Sequence, residues 1–147
     1  MSRPFKLSKS RLLAFRQCPK RLWLQTYRPE LAELDSTASA VMASGTAVGE
    51  VFRSLYSNGV LIDDESLRDA LASTREALIN VPDRPIFEAT LEANDVLVRI
   101  DMLAPSPDGY HLVEVKSSTS VKNYHLDDAA IQTCIFNHLF AIKSLEL

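Results

Sequence analysis

The chain has 147 residues, 46% of them apolar and 24% charged, with four glycines and a formal net charge of −3. This composition excludes disordered, fibrous and collagen-like chains, and the length suits one domain with a sizeable core. Two cysteines exclude a disulfide framework and a closed zinc site, and no apolar stretch approaches the ~20 residues that span a bilayer. The N-terminus has basic residues but no continuous apolar h-region, so no secretory signal is read and the expected compartment is the cytoplasm. Charge is unevenly distributed. Met1 to Glu30 hold eight of the 16 Lys and Arg and a single acid, while Val41 to Leu147 are correspondingly acidic. A basic end of this kind either steers a polyanion toward a site elsewhere or is simply a solvated helix face.

In chain order, Ser8 or Ser10 can cap a first helix with Leu12, Leu13 and Phe15 inward. Pro19 interrupts that helix or starts a second one over Lys20 to Tyr27. Arg28 to Ser39 reads as a connector. Val48, Val51, Phe52 and Leu55 recur at helical spacing and predict a helix over Ser44 to Tyr56, closed by Asn58-Gly59. Asp63 or Asp64 caps another, with Leu67, Ala70, Leu71, Thr74 and Leu78 along one stripe, and "VPDRP" ends it. The period then changes. Ile86 to Glu92, Val96 to Leu103 and Tyr110 to Ser117 read as three strands joined by "AND" and "PSPDG" turns. A last helix is predicted from about Asp127 to Ser144, with Ile131, Cys134, Ile135, His138 and Ile142 on one face. Its end near the end of the chain reads as a boundary within a longer protein or a truncated homologue. The expected architecture is a single α/β (α+β) domain over 1–147, a small mostly antiparallel sheet flanked by helices.

One constellation points to chemistry. With "SPDG" as the turn of the second hairpin, paired residues sum to about 215, which sets Asp101 across from Glu114 or one residue to either side of it. Opposed like charges repel and destabilise a strand pair, so the arrangement needs a reason. A divalent cation supplies one, because Mg²⁺ takes one or two carboxylates, keeps several waters and completes its shell with substrate phosphate. Lys116, two residues beyond Glu114 on the same face, could orient an attacking water and stabilise charge on the phosphate. The bland alternative is a Glu-x-Lys pair on the solvent face of a sheet.

The pattern "VRID", twelve residues, then "EVK" resembles the core of the PD-(D/E)XK nuclease superfamily, in which Asp, Glu or Asp, and Lys form the metal site. Three other segments resemble its RecB-like branch, which includes CRISPR-associated exonucleases. They are "LSKSRLLAFRQCPKRLWL" (Leu7 to Leu24), "SGTAVGEVF" (Ser44 to Phe52) and "DDAAIQTCIF" (Asp127 to Phe136), and they occur in the family's order. The resemblance implies a restriction-endonuclease-like core, Mg²⁺ or Mn²⁺ at Asp101 and Glu114, and a catalytic Lys116. Gln132 would position the lysine or the DNA. It further implies DNA, single-stranded or duplex ends, as partner, and protein partners in DNA repair or CRISPR and phage defence. Many RecB-like nucleases carry a metal-binding His in the helical motif where this chain has Gly49. Glu50 is the substitute ligand at hand, although it points nearly opposite the apolar stripe, as a solvated Glu would. The iron–sulfur members use four cysteines, of which only Cys18 matches, as a remnant ligand or as part of a cluster site in a longer parent. Cys134 reads as core, and no cluster is expected in this chain.

Other candidates have two readings each. Glu88 and Glu92 are in phase on the first strand, as a further ligand or as an exposed sheet face. His111 alternates away from Glu114 and reads as structural. Lys122, Tyr124 and His125 either touch a phosphate or base or form a capped loop leading into Asp127. Trp23 and Tyr27, with Lys20 and Arg21, either clamp single-stranded nucleic acid or, for Trp23, anchor the first helices. The leading expectation is a Mg²⁺- or Mn²⁺-dependent deoxyribonuclease of exonuclease type. The alternatives are a non-catalytic nucleic-acid-binding or assembly module of the same fold, and a small-molecule-binding α+β domain.

Overall fold

Capping residues set the N-terminal elements. A computed structural model describes residues 7–32, 36–107, 109–140 and 142–146, with side chains described outside 36–43 and 142–146. A short strand β1 (Leu7–Ser8) runs into α1 (Lys9–Gln17), where the Ser8 hydroxyl accepts from the Arg11 N–H at 3.4 Å. Pro19 opens α2 (Pro19–Tyr27) as its first residue, where its missing N–H costs nothing. Within the predicted connector lie a 3-10 turn (Pro29–Leu31) and the start of α3 (Ser36–Ser54), which begins eight residues earlier than its apolar stripe suggests. That stripe is not a core face. Val51 and Leu55 are 65% and 72% exposed, and the ring of Phe52 instead meets those of Tyr56 and Phe87.

After β2 (Val60–Leu61) comes α4 (Leu67–Asn80), capped by Ser66 rather than by Asp63 or Asp64. Its buried face is Ala70, Thr74 and Ala77. Thr74 is satisfied on both sides, its hydroxyl donating to the Ala70 carbonyl (2.8 Å) and accepting from the Thr90 N–H (3.0 Å). That ties α4 to the strand behind it. Between these elements Gly59 passes so close to Phe87 that a Cβ there would overlap the ring.

The meander forms where the period changes, as β3 (Ile86–Ala93), β4 (Val96–Ser106) and β5 (Gly109–Val113). Val98, Ile100 and Met102 alternate into the core along β4, which leaves Asp101 on the other side of that strand. Helix α5 (Asn123–Leu139) packs against β3 and β4 and buries Ala129, Gln132, Ile135 and Phe136. Its buried face is turned from the predicted stripe, so Cys134 and His138 are exposed rather than in the core. The helix also stops short of the predicted Ser144. Phe140 adopts an extended conformation, and β6 (Ile142–Glu146) pairs parallel with β5, covering an edge that a longer helix would leave open.

The sheet is therefore mixed, and the expectation of a small, mostly antiparallel one is corrected. Among the described residues it has six strands, in the order β2-β3-β4-β5-β6 with β1 on β4. The two meander pairings are antiparallel, whereas β1 on β4, β2 on β3 and β6 on β5 are parallel. The parallel partners are two to five residues long, too short to show a period of their own. Trp23 is 53% exposed and stacks near Tyr27 with ring centroids 5.5 Å apart, so it does not anchor the core.

Candidate active site

A gap in the sheet creates the site. The β4–β5 ladder pairs Ser106 with Gly109 and ends with Met102 opposite Val113. One step further, the same register sets Asp101 across from Glu114. There the ladder stops, because the Val115 N–H donates to Asp101 Oδ2 at 2.6 Å instead of to a backbone carbonyl. The third strand was expected to continue to Ser117, and this side-chain acceptor is the physical reason it does not. Glu114, Val115 and Lys116 thus leave the sheet while β4 continues. The edge that β5 abandons is taken at Val96 and Leu97 by β1, which delivers Lys9, the next residue, across the gap.

The result is a closed set of charges around Glu114, which is only 4% exposed. Lys116 Nζ donates to Glu114 Oε1 and, at 2.5 Å, to Asp128 Oδ2. Lys9 Nζ makes the same bridge from the other side, 3.2 Å from Glu114 Oε1 and 3.0 Å from Asp128 Oδ1. Gln132 Nε2 donates to Glu114 Oε2 at 2.6 Å and to Asp128 Oδ1 at 3.2 Å, and leaves its own buried Oε1 without a protein partner. Asp101, Glu114, Lys116 and Gln132 are thus brought together as the sequence suggests. Lys9 and Asp128 are additions. Asp128 lies one helical turn before Gln132, a spacing that puts both on one face of α5. Lys9 gives no comparable signal.

Burial works against charge on both acids that face the gap. It raises the pKa of Asp101 above the ordinary carboxylate value, against the Val115 hydrogen bond and the lysines. It raises that of Glu114 too, and the neighbouring Asp101 adds to the effect while Lys9, Lys116 and Gln132 oppose it. Asp128 goes the other way. Burial again disfavours its charge, but the Lys116 hydrogen bond and the Lys9 charge hold it at about 2. Burial likewise opposes the Lys116 ammonium, and its bonds to Asp128 and Glu114 outweigh that and raise its pKa.

An open cleft of ≈ 330 Å³ gives access to Asp101, Glu114 and Lys116. Its opposite wall is α3, through Gly45, Gly49, Phe52 and Arg53. Glu88 also lines it, opposite Asp101 by the register of the neighbouring pairs, Phe87 with Met102 and Ala89 with Ile100. Glu88 has φ 57°, a left-handed conformation that costs a side-chain-bearing residue about 1–3 kcal/mol and concentrates at functional positions. Its carboxylate faces Arg53 Nη1 at 3.6 Å. Gly49 faces the cleft, and Glu50 is exposed outside it. Among the described residues no group of three or more His, Cys, Asp or Glu side chains is arranged to hold a metal ion. The carboxylates that line the cleft are Asp101, Glu114 and Glu88, the last turned toward Arg53. The buried Glu114 and the half-buried Asp101, mutually repelling beside open space, suit Mg²⁺ or Mn²⁺, which need few protein ligands and retain water.

A second cavity of ≈ 610 Å³ lies between α1 and the start of α5 and is lined by Leu13, Arg21 and Tyr124. Arg16 and Asp127, 3.1 Å apart, form part of its wall. Lys122 Nζ lies 5.9 Å from the Tyr124 ring centroid. Lys20 is exposed and outside this cavity. His125 is buried, with Nδ1 accepting from the Lys122 N–H at 3.2 Å, so it caps α5. Cys18 and Cys134 are both free and exposed. No protein-family model matches the chain, and comparison with curated proteins and with solved structures finds no match. Among the described residues no helix is long and apolar enough to cross a membrane.

Proposed function

We propose that the chain is a divalent-metal-dependent nuclease that hydrolyses DNA phosphodiester bonds, of exonuclease type and akin to the RecB-like branch of the PD-(D/E)XK superfamily. The observation that carries this reading is the meeting of Asp101, Glu114 and Lys116 in one open cleft, at the point where β5 parts from β4. Mg²⁺ or Mn²⁺ held by Asp101 and Glu114 would supply a Lewis acid for the phosphoryl oxygen and lower the pKa of a bound water. The chain's own groups do the rest. Lys116 keeps a fixed ammonium beside the phosphate position and offers it to charge that builds during attack. Gln132 holds Glu114 Oε2, which leaves Oε1 as the oxygen toward Lys116. Arg53, on the cleft wall, adds a cation for the phosphate backbone. Arg21 and Tyr124 give the second cavity a cation and a stacking ring for an unpaired base.

Purified protein with Mg²⁺ or Mn²⁺ is expected to degrade DNA, and EDTA to abolish the activity. Lys116→Ala should lower the rate by about 10²–10³, the effect of removing one preorganised transition-state donor. Full activity in Lys116→Ala or Asp101→Ala would overturn the assignment. A second reading, a non-catalytic nucleic-acid-binding module of the same fold, is favoured by two features. Both Glu114 oxygens already accept protein hydrogen bonds, and Gly49 brings no side-chain ligand to the cleft. Calorimetry separates the two readings, because DNA binding without Mn²⁺ binding supports the module.

A further inference from the structure

Lys9 has no place in the chemistry described so far, yet it is among the most tightly engaged side chains of the site. Its side chain is 19% exposed, and its ammonium sits between Glu114 Oε1 and Asp128 Oδ1 at 3.2 and 3.0 Å. With Lys116 it forms an alternating ring in which two ammoniums face two carboxylates. The ring is balanced without any added cation. It also fills Glu114 Oε1 with two ammoniums, while Oε2 accepts the Gln132 amide. A carboxylate oxygen has about two lone-pair directions, so a divalent cation can reach Oε1 only when one ammonium leaves it. Lys116 comes from the same chain segment as Glu114 and is two residues away. Lys9 comes from a segment 105 positions away in the chain, on β1–α1, and Asp128 gives it a second anchor to fall back on.

We propose that Lys9 is a latch on the metal site, an ammonium that competes with the divalent cation for Glu114 Oε1 and retires to Asp128 when the cation binds. The inference rests on the nuclease reading above, because it takes Glu114 as a metal ligand. Lys9 is in this sense a positioning residue that acts through Glu114. It sets the cation concentration at which the site fills, and it keeps Glu114 and Lys116 in place until then. A merely architectural role predicts the reverse effect on metal affinity, since losing an anchor of Glu114 would loosen the site.

The test is Mn²⁺ titration by calorimetry on the whole chain, with wild type, Lys9→Gln, Lys9→Arg and Arg75→Gln. Arg75 is exposed on α4 away from both cavities and reports the effect of net charge alone. Lys9→Gln is expected to bind Mn²⁺ about tenfold more tightly, about 1.4 kcal/mol, because a like charge a few ångströms from the cation is gone. Arg75→Gln should match wild type, because exposed distant charge is screened. Lys9→Arg should bind Mn²⁺ more weakly, because a guanidinium grips both oxygens of a carboxylate. Unchanged or weaker binding in Lys9→Gln overturns the latch. If circular dichroism shows that Lys9→Gln does not fold, Lys9→Arg decides, and unchanged affinity there overturns it. Absence of Mn²⁺ binding in every protein overturns the nuclease reading and the latch together. Binding in wild type with no response at Lys9 overturns the latch alone.

Discussion

Asp101→Asn separates what the site does from what holds the fold together. Asp101 Oδ2 accepts the Val115 N–H at 2.6 Å, and an asparagine carbonyl oxygen can accept the same bond. What the substitution removes is charge. Asp101 lies across from Glu114, burial raises the pKa of both, and Asp101 pushes that of Glu114 further up. Relieving one opposed like-charge pair on a sheet is worth about 0.5–1 kcal/mol. Asp101→Asn should therefore stabilise the metal-free protein by that amount, where most substitutions at buried positions destabilise. For a chain of this size about 1 kcal/mol corresponds to roughly 2–4 °C in melting temperature. Asp101→Ala is the contrast. It removes the acceptor as well as the charge, and a stranded N–H costs about 1–3 kcal/mol.

The pH dependence fixes the cause. A carboxyl whose folded pKa lies above its unfolded value binds more protons folded than unfolded between the two. Stability then falls as pH rises from 3.8, the ordinary Asp value, through the raised folded value. Asp101→Asn loses that contribution, so its advantage should be largest near pH 7 and shrink toward about pH 4. The assay is urea unfolding in EDTA at both pH values, with nuclease activity measured in parallel on the metal-loaded protein. Activity should vanish in Asp101→Asn while stability rises. An asparagine variant that loses as much stability as the alanine variant would refute the account of Asp101 as a strained, repelling carboxylate.

Two further outcomes follow from the same network. Asp128→Asn should destabilise at neutral pH, because the folded pKa of about 2 lies below the ordinary 3.8. That interval corresponds to at most roughly 2.5 kcal/mol. The contribution is present above the unfolded value and lost as pH falls through about 2, so acid unfolding of wild type and variant should converge there. Gly49→His should fold normally, because a Cβ at this position meets Arg53 Nη1 at an ordinary 3.5 Å and helix interiors prefer almost any residue to glycine. The imidazole would add a ligand to the cleft, and Mn²⁺ calorimetry should read affinity about tenfold tighter than wild type.

The parts of this site legible in the sequence are those fixed by local rules. A two-residue turn sets a hairpin register, and register alone places Asp101 opposite Glu114, because a one-residue slip would turn every side chain to the other face. Gln132 was legible as a position on the last helix, which the structure buries against the sheet. Asp128 was within reach, since it precedes Gln132 by one turn on the buried face. Cys134 and Val51 were misjudged for the converse reason. An apolar period marks a face only when something packs on it, and α3 and α5 turn other residues toward the sheet. Lys9 lay beyond local rules altogether. Its contact with Glu114 spans 105 positions and depends on a two-residue strand pairing with β4 at Val96 and Leu97. Yet the cause is the residue that was legible. Because Asp101 takes the Val115 N–H, β5 leaves β4 early. Because β5 leaves, an edge of β4 is open for β1, and the residue after β1 lands beside Glu114. The carboxylate read as a metal ligand is thus also the group that opens the sheet.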